Sequence, residues 1–103
     1  MSSKTAGDNP LASASTPTIY NVVLTEAGAE YPQTLPWNCR KFSIKPRVSN
    51  HVIKLAFEPN QTNYDYISFS GGGYWEDNIN GSGMAVYLQC ATPSAVVEII
   101  CWS

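Results

Sequence analysis

The sequence predicts an all-β domain, an antiparallel β-sandwich or small barrel of about seven or eight short strands, preceded by a disordered or extended N-terminal arm. Three observations carry this. Apolar residues recur at every second position in several stretches, the period of a strand with one wet face. Turn-forming residues separate those stretches, and no segment shows the 3.6-residue period of a helix. The opening, MSSKTAGDNPLASASTP, holds one large aliphatic side chain, Leu11, and cannot offset the entropy of ordering by itself. Residues 1–17 are therefore expected to be a flexible arm, a disordered leader in isolation or, in an assembly, a segment lying across a neighbour with Leu11 as its anchor, and residues 18–103 are expected to be the sandwich domain. A body of that size buries roughly 60–65% of its unfolded surface, enough for one modest core.

In chain order, residues 18–24 form a first strand with Ile19, Val22, Val23 and Leu24, and 25–30 turn with Gly28. Residues 31–35 are a short extended piece whose Pro32 confines it to an edge or a strand start. The chain turns again at Pro36-Trp37-Asn38. Residues 39–47 alternate most cleanly, with Phe42 and Ile44 inward and Lys41, Ser43, Lys45 and Arg47 outward. Residues 51–57 repeat the pattern, with Ile53, Leu55 and Phe57 inward and Lys54 outward, so the two strands together would show a basic stripe on one sheet face.

Residues 58–65 are a polar loop. Residues 66–90, YISFSGGGYWEDNINGSGMAVYLQC, read as two strands holding out a loop, with Gly71 to Gly73 and Asn80-Gly81 as turn chemistry and room for a short strand from Tyr74. Met84, Val86, Leu88 and Cys90 face the core, and Ala85, Tyr87 and Gln89 face away. The last strand is apolar on both faces, hence central or covered by a partner. If residues 84–90 and 95–101 pair as a hairpin, Cys90 and Cys101 stand on the order of 15 Å apart, too far to bridge. With three cysteines, an odd number, buried free thiols and a reducing cytoplasm are expected.

Charged residues are 14% of the chain, below the roughly 25% of an average soluble protein. The net charge of -2 makes no global case for nucleic acid or an anionic membrane as partner. No apolar stretch is long enough for a membrane-spanning helix, and the N-terminal residues lack the apolar core of a secretory signal. Arg40, Lys41, Lys45, Arg47 and Lys54 make the middle basic, and after Lys54 the charged residues are Glu58, Asp65, Glu76, Asp77 and Glu98, with no Lys or Arg. That asymmetry reads either as a solvated strand face balanced by its neighbours or as head-to-tail association, the basic stripe of one copy meeting the Tyr74-Trp75-Glu76-Asp77 patch of the next.

Nothing in the sequence assembles into an enzyme. His51 is the one histidine and starts a strand, G-x-S-x-G is absent, and the cysteines sit in apolar strands where thiolates are disfavoured. Cys39, His51, Cys90 and Cys101 lack zinc spacing, and Glu76, Asp77, Asn78 and Asn80 do not match a calcium loop. No metal or other cofactor is expected. An oligonucleotide platform would want aromatics on the basic face, where Phe42 and Ile44 instead alternate inward. Tyr64, Tyr66, Tyr74 and Trp75 with nearby asparagines could stack on sugars, so a glycan- or receptor-binding module is the alternative; the same residue types favour protein interfaces.

The pattern resembles small all-β proteins encoded in the structural gene clusters of tailed bacteriophages and prophages. The matching residues are Leu24-Thr25-Glu26-Ala27-Gly28-Ala29-Glu30-Tyr31 with Leu35-Pro36, then Arg40-Lys41-Phe42-Ser43-Ile44-Lys45-Pro46-Arg47. Leu55-Ala56-Phe57, the glycine run with Tyr74 and Glu76, Tyr87-Leu88, and Val96-Val97-Glu98-Ile99 through Trp102 complete it, over about residues 20–102. The resemblance implies a virion component assembled in the host cytoplasm, such as a capsid decoration (cement) protein or another head or tail piece. It implies binding to the major capsid or another virion protein as a homo-oligomer, with a trimer favoured, and no catalysis. The N-terminal arm lies outside the matched pattern.

Overall fold

The computed structural model describes residues 16–77, 79 and 83–103. Leu11, Asn78, Asn80 and Gly81 lie outside the described residues. Among those described, eight strands form two four-stranded antiparallel sheets. The strands are β1 (Thr18–Leu24), β2 (Tyr31–Thr34), β3 (Lys41–Pro46), β4 (Ile53–Ala56), β5 (Ile67–Phe69), β6 (Tyr74–Glu76), β7 (Ala85–Cys90) and β8 (Ala95–Trp102).

The first sheet has the order β1-β8-β3-β6 and the second β2-β7-β4-β5. Position by position, the two orders pair strands that follow each other in the chain: β1 with β2, β8 with β7, β3 with β4, β6 with β5. Only β4 and β5 are consecutive strands hydrogen-bonded in one sheet; every other connection crosses from sheet to sheet. This is the strand order of a jelly roll, which settles the choice between sandwich and barrel.

The core lies between the sheets. Leu24, Phe42, Ile44, Val97 and Ile99 from the first sheet meet Ile53, Leu55, Val86 and Leu88 from the second, all at 1% exposure or less. The alternation of β8 is complete, with Ala95, Val97, Ile99 and Cys101 buried and the residues between them half-buried. It lies between β1 and β3, with its inner face in the core and its apolar outer face covered by no other layer among the described residues. Pro32 sits on an edge strand, as its missing N–H demands.

Two expected pairings are corrected. The strands of residues 39–47 and 51–57 belong to different sheets, as do β7 and β8, whose link is an arch and not a hairpin. A period of two states which side chains face the core; an arch preserves that alternation as well as a hairpin does, so the period is silent on which sheet a strand joins. Residues 66–90 likewise do not hold out one loop, because β6 inside them pairs with β3 across the sandwich from β5 and β7. Phe57, expected inward, lies past the end of β4 and is exposed.

The three cysteines are free and buried. The spacing argument based on a β7–β8 hairpin falls with that hairpin. Burial, then the neighbouring Cys39, pushes the Cys101 thiol up to about 12, while Cys39 Sγ donates to the Lys41 carbonyl at 3.4 Å.

Candidate interaction surface

The outer faces of the two sheets differ. On the second sheet the loop after β4 folds back over β7. Glu30, just before β2, accepts the Asn60 N–H at 2.7 Å, the Thr62 N–H at 3.2 Å and the Thr62 hydroxyl at 2.8 Å. Thr62, thereby buried, accepts a hydrogen bond from Gln89 Nε2 at 2.9 Å. Asn60 takes a left-handed conformation (φ 64°) that asparagine tolerates. Gln89 faces away from the core as its parity requires, yet it is only 6% exposed because this loop covers it.

Burial pushes the Glu30 carboxyl up, but the hydrogen bonds from Asn60, Thr62 and Gln61 outweigh it and hold the group below its ordinary value of 4.5. A depressed folded-state value means that the stabilisation is complete above the unfolded value and is lost as pH falls through the folded one. Glu30→Ala should therefore destabilise the domain at pH 7 by about 1–2 kcal/mol, the cost of stranding the buried donors of Thr62. The loss should shrink in urea titrations as pH drops below about 4. An unchanged urea midpoint at pH 7 would show that the loop needs no latch.

No described residue covers the outer face of the first sheet. From β1 it shows Ile19, Asn21 and Val23; from β8 Val96, Glu98, Ile100 and Trp102; from β3 Lys41, Ser43 and Lys45, with Arg47 just beyond; from β6 Trp75. Ile19 is 63% exposed, Val23 50% and Trp75 61%. At its centre Glu98 binds Lys45 Nζ at 2.9 Å and Arg47 Nε at 2.8 Å, and Arg47 Nη2 donates to Asn21 Oδ1 at 3.0 Å. Hydrogen bonds from Lys45 and then Arg47 lower the Glu98 carboxyl below its ordinary value. A shallow groove of about 310 Å³ runs beside this cluster, lined by Ile19, Asn21, Ser43, Lys45, Glu98 and Ile100 among others.

The sequence-predicted residues are thereby redistributed. Lys41, Lys45 and Arg47 share the outer face along β3, whereas Arg40 precedes the strand at the opposite parity and Lys54 sits on the opposite sheet, its ammonium 4.9 Å from the Tyr66 ring centroid and 3.3 Å from Asn63 Oδ1. The basic stripe across two neighbouring strands is not formed. The Tyr74-Trp75-Glu76-Asp77 patch is split by the strand it belongs to. Trp75 points out beside Ser43, whereas Tyr74 packs inward between Phe42 and Phe69 and donates its hydroxyl to Glu76. Burial, then Glu76, pushes the Tyr74 hydroxyl up to about 12.

Asp77 lines a second shallow pocket of about 380 Å³ with Arg40, Lys41, Ile79, Trp102 and Ser103. There Arg40 Nη2 donates to the Ser103 carbonyl at 3.0 Å and Lys41 Nζ stands 5.1 Å from the Trp102 ring centroid. Trp75 and the basic stripe thus share one face of one chain, and Glu98 of the same chain neutralises part of that stripe. Glu98 had a visible signal, a lone charge in an apolar strand. Glu30 had none, since its partners lie thirty residues on.

His51 is half-buried, and its Nδ1 is buried without a hydrogen-bond partner among the described residues. Among those residues no cluster of three or more His, Cys, Asp or Glu is placed to hold a metal. Protein-family models, curated proteins and solved structures give no match to this chain.

Proposed function

We propose that this chain is a structural protein of a tailed-phage virion, a capsid decoration (cement) protein that oligomerises and fastens the capsid lattice by protein–protein contact. The observation that carries the reading is the outer face of the first sheet. It combines exposed Ile19, Val23 and Trp75 with half-buried Ile100 and Trp102 around a charged Lys45–Glu98–Arg47 centre. Aromatic and aliphatic anchors beside arginine are the composition of a protein interface. The virion context rests on the resemblance of the sequence pattern, and a jelly roll suits it by analogy of fold, which lectin domains share. Many modest contacts repeated over a lattice add up by mass action.

Particles of the phage that encodes the chain should contain it at a copy number near that of the major capsid protein. Purified protein added to particles lacking it should bind, and Trp75→Ala should weaken that binding about tenfold or more, as loss of a central aromatic anchor does. A few copies per particle would move the protein to a connector or tail role. Absence from the particle, with glycan-array binding that Trp75→Ala abolishes, would replace the lattice reading with the sugar-binding one.

A further inference from the structure

The four edges of the sandwich are not alike. β2 has four residues and contains Pro32, β5 has three residues, and β6 has three and carries Glu76. Short length, proline and charge are the usual devices that keep a sheet edge from pairing with another chain. β1 has none of them: its seven residues, TIYNVVL, include neither proline nor a charge. Among the described residues its only sheet neighbour is β8.

The register fixes which backbone groups β1 leaves free. The Arg40 N–H donates to the Trp102 carbonyl and the Arg47 N–H to the Val96 carbonyl, so the even-numbered residues of β8 direct their polar backbone at β3. The odd-numbered residues therefore direct theirs at β1, where Cys101, Ile99, Val97 and Ala95 face Thr18, Tyr20, Val22 and Leu24. Among the described residues, nothing meets the N–H and C=O groups that Ile19, Asn21 and Val23 turn outward along the edge. Their side chains are the exposed ones of the outer face.

We propose that β1 is a self-association edge, on which a second copy of this chain lays its own β1 antiparallel about a two-fold axis through Asn21. This rests on the oligomeric part of the reading above and gives it a symmetry, a two-fold where the resemblance favours a trimer. The strand is self-complementary in that register. Ile19 meets the Val23 of the second copy, Asn21 meets its counterpart, and Tyr20 meets Val22, with no charge on either strand. Each outward N–H of Ile19, Asn21 and Val23 finds an outward C=O, and the apolar Ile19–Val23 pairs flank an amide pair on the exposed face. The contact is isologous and closed, joining two first sheets into one continuous sheet and uniting their outer faces.

Asn21 on the axis gives a direct test by sedimentation equilibrium of the full chain, with amide exchange read at Ile19, Asn21 and Val23. The expected result is a dimer in which those amides exchange slowly and become fast on dilution. Asn21→Lys and Asn21→Glu each place like charges face to face and should weaken dimerisation about tenfold or more, whereas an equimolar mixture of the two chains should restore it. Should Asn21→Lys not fold, Val23→Lys probes the same edge opposite Ile19. A monomer with fast edge amides overturns both this edge and the oligomeric reading. A trimer, or a dimer indifferent to these charges, overturns the edge alone. Slow edge amides in a monomer would mean that another segment of the same chain occupies β1, and would equally overturn it.

Discussion

Gly73→Ala should destabilise the domain by about 3 kcal/mol, and Gly28→Ala by no more than about 1–2 kcal/mol. Both glycines have φ of 76°, so both substitutions incur the same left-handed penalty for a residue with a Cβ. They differ in what that Cβ meets. At Gly28 nothing lies within 4 Å, whereas at Gly73 it would stand 2.5 Å from the Ile44 carbonyl oxygen and 2.9 Å from Lys45 Cβ. The obstacle is the backbone of β3, which cannot swing aside as a side chain can.

Gly73 also closes the turn from β5, its N–H donating to the Ser70 carbonyl at 2.7 Å, and so sets where β6 begins. Relief of the clash must displace β6, a strand held to β3 by three residue pairs only, and with it Trp75. Urea midpoints of the two variants measure the difference, and on the proposed function weaker capsid binding should accompany Gly73→Ala. Equal midpoints would show that β6 yields without cost and that the close approach has no structural role.

The contrast between these glycines marks how far the sequence could be read. The glycine run after β5 signals a special backbone, but which glycine lies against another strand depends on the fold. Burial was legible wherever alternation was clean: Phe42, Ile44, Val86, Leu88, Val97 and Ile99 are all in the core. Pairing was not, because arches and hairpins share one alternation, and Lys54 was therefore assigned to the wrong sheet. The same limit split the aromatic-acid patch. Once residues 74–76 form a strand, neighbours in sequence point to opposite sides, so Trp75 stays outside while Tyr74 and Glu76 turn in. Long-range polar contacts such as Glu30 with Thr62 leave no mark on local pattern.

Phe42→Ala should be the most damaging of these changes, at about 3–5 kcal/mol, the cost of removing a fully buried aromatic side chain and leaving its cavity. Phe42 is 0% exposed, and its ring centroid lies 6.2 Å from that of Tyr74, which lies a further 6.2 Å from that of Phe69 on the second sheet. The ring is thus the first of three that join β3, β6 and β5 across the sandwich. Its neighbours are held by the two sheets and cannot collapse fully into the space. Against a total stability of about 5–15 kcal/mol for a domain of ordinary size, such a loss removes much of the margin.

Urea unfolding at unchanged slope should report it, with Phe42→Leu losing much less because most of the volume is kept. Trp75→Ala, two residues beyond the turn on the same pair of strands but exposed, should move the midpoint of the isolated chain by no more than about 0.5 kcal/mol. That separation has a functional meaning. β3 and β6 present one set of side chains to the core and the other to the outer face, so on the proposed function stability and binding would be divided between alternate residues of the same strands. A Trp75→Ala midpoint as low as that of Phe42→Ala would mean that this tryptophan holds the fold, and its loss could then no longer be used to identify the contact surface.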